Sequence, residues 1–168
     1  MGVGQKLGSP VETTPGLHRA RYWRVLLAHD ATGTACAPLF SAIVAALGSV
    51  DITESSSVDD AREALELAAA GSSRGFDLCF VCLDLPPAPA GGVRLAESVL
   101  DAQIPLVLVT RSLRWIPSRA AALADTPWVR PEASAAEVSN AVLAATSAIA
   151  QLDRISWTSI EPRTLSAV

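Results

Sequence analysis

The stretch FDLCFVCLDLPP at residues 76–87 constrains the fold more than any other part of the chain. It is almost continuously apolar, contains aromatic and branched side chains, and is bounded by GSSRG upstream and a Pro/Gly loop downstream. A short apolar run bracketed in this way predicts a strand buried on both faces, at the centre of a parallel sheet. Because ligands of open parallel sheets bind at the carboxyl ends of the strands, we expect Cys82 or Asp84 in any functional site.

Composition restricts the class of protein. The chain has 168 residues, 50% of them hydrophobic and 18% charged, which predicts one globular domain with tails rather than a disordered chain. No apolar run reaches the roughly 18 residues that span a bilayer, and no apolar signal core follows Met1, so a cytoplasmic location without a membrane partner is expected. A net charge of -4 and a pI of about 5.1 argue against general nucleic-acid binding.

The three cysteines, Cys36, Cys79 and Cys82, are odd in number, and no second CxxC pair accompanies the last two. This arrangement favours reduced thiols over a disulfide or zinc framework.

Strand and helix patterns alternate five times along the chain. The predicted strands lie at 22–28, 50–54, 76–85, 104–109 and 127–129, and the predicted helices at 32–47, 57–71, 93–100, 112–124 and 134–152, the fourth of them interrupted near Pro117. This alternation predicts an α/β doubly wound (βα)5 sandwich of three layers, flavodoxin-like, with a parallel sheet of order 2-1-3-4-5. The predicted domain spans 21–152, between a flexible N-terminal arm at 1–20 and a C-terminal tail at 153–168 without helical period.

Local signals refine three of the predicted helices. The first is expected to turn five apolar side chains inward: Leu39, Phe40, Ile43, Val44 and Leu47. Ser57 with Asp60, and Ser134 with Glu137, have the spacing of capping boxes at two further helix starts.

Polar and sulfur-containing side chains lie at the carboxyl ends of four of the predicted strands or directly after them. We expect these residues to form one cluster at the carboxyl edge of the sheet: His29, Asp30, Cys82, Asp84, Thr110 and Arg130.

Four segments, VLLAHD at 25–30, FDLCFVCLDLP at 76–86, PLVLVT at 105–110 and VRP at 129–131, resemble in order and spacing the bacterial response-regulator receiver domain. The resemblance covers about residues 21–150. It implies a phosphorylation pocket, from which this sequence departs. His29 stands for the first of two acidic residues that hold magnesium in receivers, so only Asp30 remains. Cys82 falls on the phosphoacceptor aspartate, Thr110 keeps the hydroxyl residue, and Arg130 replaces a lysine.

These departures remove what aspartyl phosphorylation requires, namely a carboxylate nucleophile and a divalent cation on oxygen ligands. Imidazole and thiol are poor substitutes for oxygen around magnesium. The resemblance therefore implies a degenerate pseudo-receiver, not an enzyme, without cofactor or metal. Two alternatives remain open: a phosphorylatable receiver that uses Asp84, and a small-molecule or metal-binding regulator at the pocket of His29, Asp30 and Cys82.

The expected function is that of a stand-alone signalling protein that acts by phosphorylation-independent protein–protein interaction in a two-component or related pathway. Exposed aromatic side chains next to arginine are typical interface anchors. The predicted interaction surface consists of Arg111, Arg114, Trp115, Arg119 and Trp128. The implied partner is a histidine kinase, a response regulator, another regulatory protein or a second copy of this chain.

Overall fold

The computed structural model describes residues 22–30, 36–71, 75–85, 91–112 and 118–158. The strands are β1 (Trp23–Ala28), β2 (Val50–Ser55), β3 (Leu78–Cys82), β4 (Leu106–Val109) and β5 (Trp128–Val129). The α-helices are α1 (Ala37–Leu47), α2 (Val58–Ala70), α3 (Gly91–Asp101) and α4 (Ala135–Thr158), and a 3₁₀ helix spans Ser118–Leu123. The predicted arm at 1–20 lies outside the described residues.

The five strands form one parallel sheet of order β2-β1-β3-β4-β5. The predicted fold class and strand order are therefore confirmed, with β3 in the centre and β2 at an edge. Every residue of β3 is buried, as expected for a strand that is covered on both faces. Its last residue, Cys82, pairs with Val109 at the end of β4.

Each face of the sheet has its own apolar core. On one face, alternate strand residues such as Leu27, Phe80 and Val107 pack against α1 and α4. On the other face, Leu26, Val81 and their neighbours pack against α2, α3 and the 3₁₀ helix. The period of two along each strand thus distributes one continuous apolar run between two cores.

Asp77 ties the beginning of β3 to β1. Its backbone N–H donates to the carbonyl oxygen of Arg24 at 2.8 Å, and its carboxylate accepts from the backbone N–H of Arg24 at 3.0 Å. This carboxylate is buried, so its hydrogen bond compensates part of the cost of taking a charge out of water. Asp77 is thus a structural residue at the amino end of the sheet.

The inward face of α1 is narrower than predicted. Leu39 and Ile43 are buried, but Phe40 is 37% and Val44 is 39% exposed. Successive helical residues are rotated by about 100° from each other, so the stripe that starts at Phe40 points away from the core when the stripe at Leu39 faces it. The prediction that both stripes face inward is wrong for Phe40 and Val44.

The predicted N-caps are present. Ser134 and Glu137 form a reciprocal capping box, in which the Glu137 carboxylate accepts from the Ser134 backbone N–H at 2.8 Å and the Ser134 hydroxyl accepts from the Glu137 N–H at 3.3 Å. The first of these bonds is the main reason that the pKa of Glu137 is lowered. The Ser57 hydroxyl accepts from the Asp60 N–H at 3.1 Å, whereas the Asp60 carboxylate bonds the Ser56 hydroxyl instead.

One predicted helix type and one predicted helix boundary are wrong. The described part of the predicted fourth helix is a 3₁₀ helix with a kink at Ala120, where φ is -99° and ψ is 43°. Pro117, near which an interruption was predicted, directly precedes this helix in the sequence, and proline kinks or breaks an α-helix that runs through its position. The last helix runs to Thr158 and not to about 152, because the sequence DRISWT at 153–158 contains neither glycine nor proline. None of the helices in the described ranges is long and apolar enough to cross a membrane.

Candidate functional site

A pocket of about 340 Å³ opens where β1, β3 and β4 end. It is lined by Asp30, Cys36, Cys82, Asp84, Val109, Thr110, Arg111 and Pro131. The carboxyl ends of adjacent parallel strands meet at one edge of the sheet, which brings together residues from four separate parts of the chain. Asp30, Cys82, Asp84 and Thr110 belong to the predicted cluster. The other lining residues were not predicted there, and of these Cys36 was not predicted to have any role.

His29 is not among the residues that line this pocket. Its Nε2 lies 2.8 Å from Oε2 of Glu54, and its Nδ1 lies 3.2 Å from the carbonyl oxygen of Asp30. β1 and β2 are parallel neighbours, and Glu54 is the penultimate residue of β2 at the same edge of the sheet, so the imidazole bonds to the neighbouring strand. The predicted arrangement of His29 beside Cys82 in one pocket is therefore not observed.

Arg130 also lies elsewhere. It is exposed and lines a separate groove of about 590 Å³ together with Trp128, Glu137 and Asn140, next to β5 and α4. The preceding residue, Val129, is the last residue of β5 and faces the core, whereas Arg130 follows the strand and is exposed. Among the described residues, Arg111 is the cation that lines the pocket, and it also forms an exposed ion pair with Glu132 at 3.1 Å.

The Thr110 hydroxyl at the end of β4 already has two hydrogen bonds. It donates to the carbonyl oxygen of Ser112 at 2.9 Å and accepts from the Ser112 N–H at 3.1 Å. This local turn fixes the side chain in place and explains how a buried hydroxyl is satisfied. A ligand that accepts a hydrogen bond from this hydroxyl would have to compete with the Ser112 carbonyl oxygen.

The turn after β3 separates Cys82 from Asp84. Cys82 is the last residue of β3 and is buried, whereas Asp84 is exposed in the turn, which the Leu85 N–H closes by donating to the Cys82 carbonyl oxygen at 3.3 Å. The carboxylate and the thiol therefore contribute to different parts of the pocket wall.

Cys36 and Cys82 form a thiol pair inside the pocket. Their sulfur atoms are 3.9 Å apart, and the residues are 7% and 9% exposed. The hydrogen bond from Cys82 lowers the pKa of Cys36 to about 7 against the opposing effect of burial. The pKa of Cys82 is raised, by the same hydrogen bond and then by burial. The predicted strand order 2-1-3 indicates that these two cysteines can be close, because Cys36 lies in the segment after β1 and Cys82 ends the neighbouring strand β3.

The side chains of this pocket do not fit the magnesium ion that receivers hold there. Magnesium requires near-octahedral oxygen coordination, whereas two thiols accompany the two carboxylates of Asp30 and Asp84. Among the described residues, no three His, Cys, Asp or Glu side chains are grouped closely enough to hold a metal ion.

The predicted interaction surface is described only in part. Trp128 is 40% exposed in the groove beside Arg130, and Arg111 is exposed near the pocket. Arg114 and Trp115 lie outside the described residues, and so does the side chain of Arg119.

Comparison with known proteins gives structural matches alone. No protein-family model and no curated protein sequence matches the chain. The N-terminal domain of a response regulator/sensory box/GGDEF protein from Carboxydothermus hydrogenoformans is 17% identical, with a TM-score of 0.57 over 77% of this chain and 98% of that one. A bacteriophytochrome response regulator is 14% identical, with a TM-score of 0.60 over 83% and 96% of the two chains.

A CheY-like receiver domain protein from Methanospirillum hungatei is 16% identical, with a TM-score of 0.54 over 80% of this chain and 98% of that one. The described part of the chain therefore has the flavodoxin-like fold of response-regulator receiver domains. At these identities the likeness extends to the fold, and the chemistry of the pocket has to be argued from its own residues.

Proposed function

We propose that this chain is a receiver-like signalling protein that acts through protein–protein interaction and is not switched by aspartyl phosphorylation. The observation that carries the proposal is the thiol of Cys82, which ends the central strand and lines the pocket at its carboxyl edge. By the resemblance to receiver domains, Cys82 stands at the position of the phosphoacceptor aspartate.

The surroundings of Cys82 support the same conclusion. A thiol with a raised pKa is protonated at neutral pH, and a protonated thiol is a poor nucleophile. The Thr110 hydroxyl is held by Ser112, and the Arg111 guanidinium pairs with Glu132. Among the described residues, the pocket therefore has a thiol rather than a carboxylate at the acceptor position, and its cation, Arg111, is shared with Glu132.

The groove beside β5 supports an interaction with another protein. It combines a half-exposed tryptophan, Trp128, with the exposed charges of Arg130 and Glu137. Aromatic side chains and arginine are enriched among residues that dominate binding energies. The proposed partner is a regulatory protein or a second copy of this chain.

The first prediction concerns phosphorylation. Incubation with acetyl phosphate and magnesium should add no phosphoryl mass, and beryllofluoride with magnesium should leave the tryptophan fluorescence unchanged. Mass spectrometry of the intact chain measures the first effect. A stable phosphoryl adduct on the wild-type chain that disappears in Asp84→Asn would establish the alternative, a receiver that uses Asp84.

Reverting variants identify which residue prevents phosphorylation. Cys82→Asp alone should remain unmodified, because His29 still occupies the position of a magnesium-binding acid and its ring is directed to Glu54. The matched variant is Cys82→Asp with His29→Asp, which provides carboxylates at both positions. Phosphorylation of the single variant would show that the cation site is intact and that only the acceptor is missing.

The second prediction concerns association. Trp128→Ala should weaken binding to the partner, or self-association, by about tenfold or more, since truncating an interface anchor costs about 2 kcal/mol or more and about 1.4 kcal/mol corresponds to tenfold. The free energy of unfolding should change by about 1 kcal/mol or less, as for surface substitutions. Sedimentation velocity and quantitative pull-down measure the association, and chemical denaturation measures the stability.

Leu67→Ala is the matched control, because Leu67 is 66% exposed on α2, across the sheet from the groove. It should change neither association nor stability appreciably. A large loss of stability in Trp128→Ala with unchanged association would assign Trp128 to the core and exclude this groove as the interface.

A further inference from the structure

The pocket contains a pair of thiols for which neither the resemblance to receivers nor the proposed function has a role. We propose that Cys36 and Cys82 form a site for thiol–disulfide exchange with low-molecular-weight disulfides, which converts the pair reversibly into an intramolecular disulfide. The inference stands on the two thiols and does not depend on the proposed signalling function.

The geometry of the pair favours bond formation within one chain. The sulfur atoms are 3.9 Å apart although the residues are separated by 46 positions in sequence. A disulfide requires a distance of about 2.05 Å, so the sulfurs must approach each other by about 2 Å. Cys36 directly precedes α1 and Cys82 ends β3, so the bond would join the beginning of the first helix to the end of the central strand.

A small disulfide has access to the pair because both cysteines line the open pocket of about 340 Å³. The pKa values of the two thiols are also shifted in opposite directions. Cys36 has a pKa lowered to about 7 by the hydrogen bond from Cys82, so a sizeable fraction is thiolate at neutral pH. The raised pKa of Cys82 keeps its proton on sulfur until the first exchange has occurred.

The exchange proceeds in two steps. The Cys36 thiolate attacks one sulfur of the small disulfide, whose S–S bond breaks, and the first small thiolate leaves and takes up the proton that Cys36 released. Cys82 then loses its proton and attacks the Cys36 sulfur, which breaks the mixed disulfide and releases the second small thiol. One protein dithiol is oxidised to a disulfide, and one small disulfide is reduced to two thiols.

Cys79 serves as an internal control. It lies on the same strand as Cys82, but an odd number of residues away, so its side chain belongs to the core on the other face of the sheet. It is fully buried, and burial raises the pKa of its thiol. We expect Cys79 to take no part in the exchange.

The test uses the full chain in buffers with a graded ratio of oxidised to reduced glutathione. After acid quenching, the free thiols are alkylated in denaturant, and the products are analysed by intact-mass spectrometry and non-reducing peptide mapping. As the ratio rises, two of the three thiols should disappear together, with a cross-link between the peptides of Cys36 and Cys82 and an alkylated Cys79. The oxidised chain should also melt at a higher temperature than the reduced chain, because the cross-link restricts the unfolded state.

Three variants separate the roles of the cysteines. Cys82→Ser should accumulate a stable mixed disulfide with glutathione on Cys36, because the second thiol is missing. Cys36→Ser should react much more slowly, and Cys79→Ser should behave like the wild type. The peptide map of the wild-type chain decides the proposal even if a variant does not fold.

The proposal is overturned if the wild-type chain retains three free thiols at the most oxidising ratio. A cross-link that includes Cys79, a cross-link between two chains, or a stable mixed disulfide on wild-type Cys36 would overturn it equally.

Discussion

Gly92→Ala is expected to destabilise the protein by about 3 kcal/mol or more, at the upper end of the cost of overpacking. Gly92 is the second residue of α3 and is buried against the end of β3. A Cβ at this position would overlap the carbonyl oxygen of Cys82 and lie 2.7 Å from both Cα and the carbonyl oxygen of Leu83. These atoms belong to the backbone of the central strand and its turn, so no side-chain rotation can relieve the overlap.

The measurement is chemical denaturation of Gly92→Ala and of Gly75→Ala as a matched control. A Cβ on Gly75 would meet no atom within 4 Å, so this substitution should be neutral or stabilising by up to about 1 kcal/mol. Equal stability of the two variants would mean that α3 is not seated directly on the end of β3. Displacement of the β3 end in Gly92→Ala should also slow the formation of the cross-link between Cys36 and Cys82.

Phe80→Ala should lower the free energy of unfolding by about 3–5 kcal/mol. Phe80 is in the middle of β3, is completely buried and is among the largest fully buried side chains. It packs in the core between the sheet and the helices α1 and α4. Its removal would leave a cavity in the layer where both helices contact the central strand. The expected loss is a large part of the free energy of unfolding of a typical domain.

Phe40→Ala is the control for this prediction. Phe40 is the same residue type in α1 and was also predicted to face inward, but it is 37% exposed. Its loss should cost about 1 kcal/mol or less. If both variants lost equal stability in thermal or chemical denaturation, Phe40 would be covered in solution, and the sequence-based prediction for α1 would be correct after all.

Part of the site was predictable from the strand ends. Asp30, Cys82, Asp84 and Thr110 line the pocket because each ends or follows a strand of a parallel sheet, and the strand patterns are visible in the sequence. The directions of His29 and Arg130 were not predictable in this way. The side chain of a residue at a strand end can point to any of several neighbours. Its orientation depends on groups such as Glu54 that are distant in sequence.

The pairing of Cys36 with Cys82 shows the same limit. An odd number of cysteines and the absence of a second CxxC pair favoured three independent reduced thiols. The structure does contain three free cysteines, but two of them are neighbours in space because β1 lies beside β3. Sequence spacing carries no information on such a contact until the strand order is known.

The sequence alone determined the features that depend on neighbours along the chain. The apolar run at 76–85, the period of the helices and the caps at Ser57 and Ser134 act over a few residues, so they predicted the elements and their alternation, and connection rules then restricted the strand order. Only the tertiary structure decided which stripe of α1 is buried, where Arg130 is directed and that the Cys36 and Cys82 thiols meet. These features result from packing and hydrogen bonding between residues that are far apart in sequence, and local patterns do not encode such contacts.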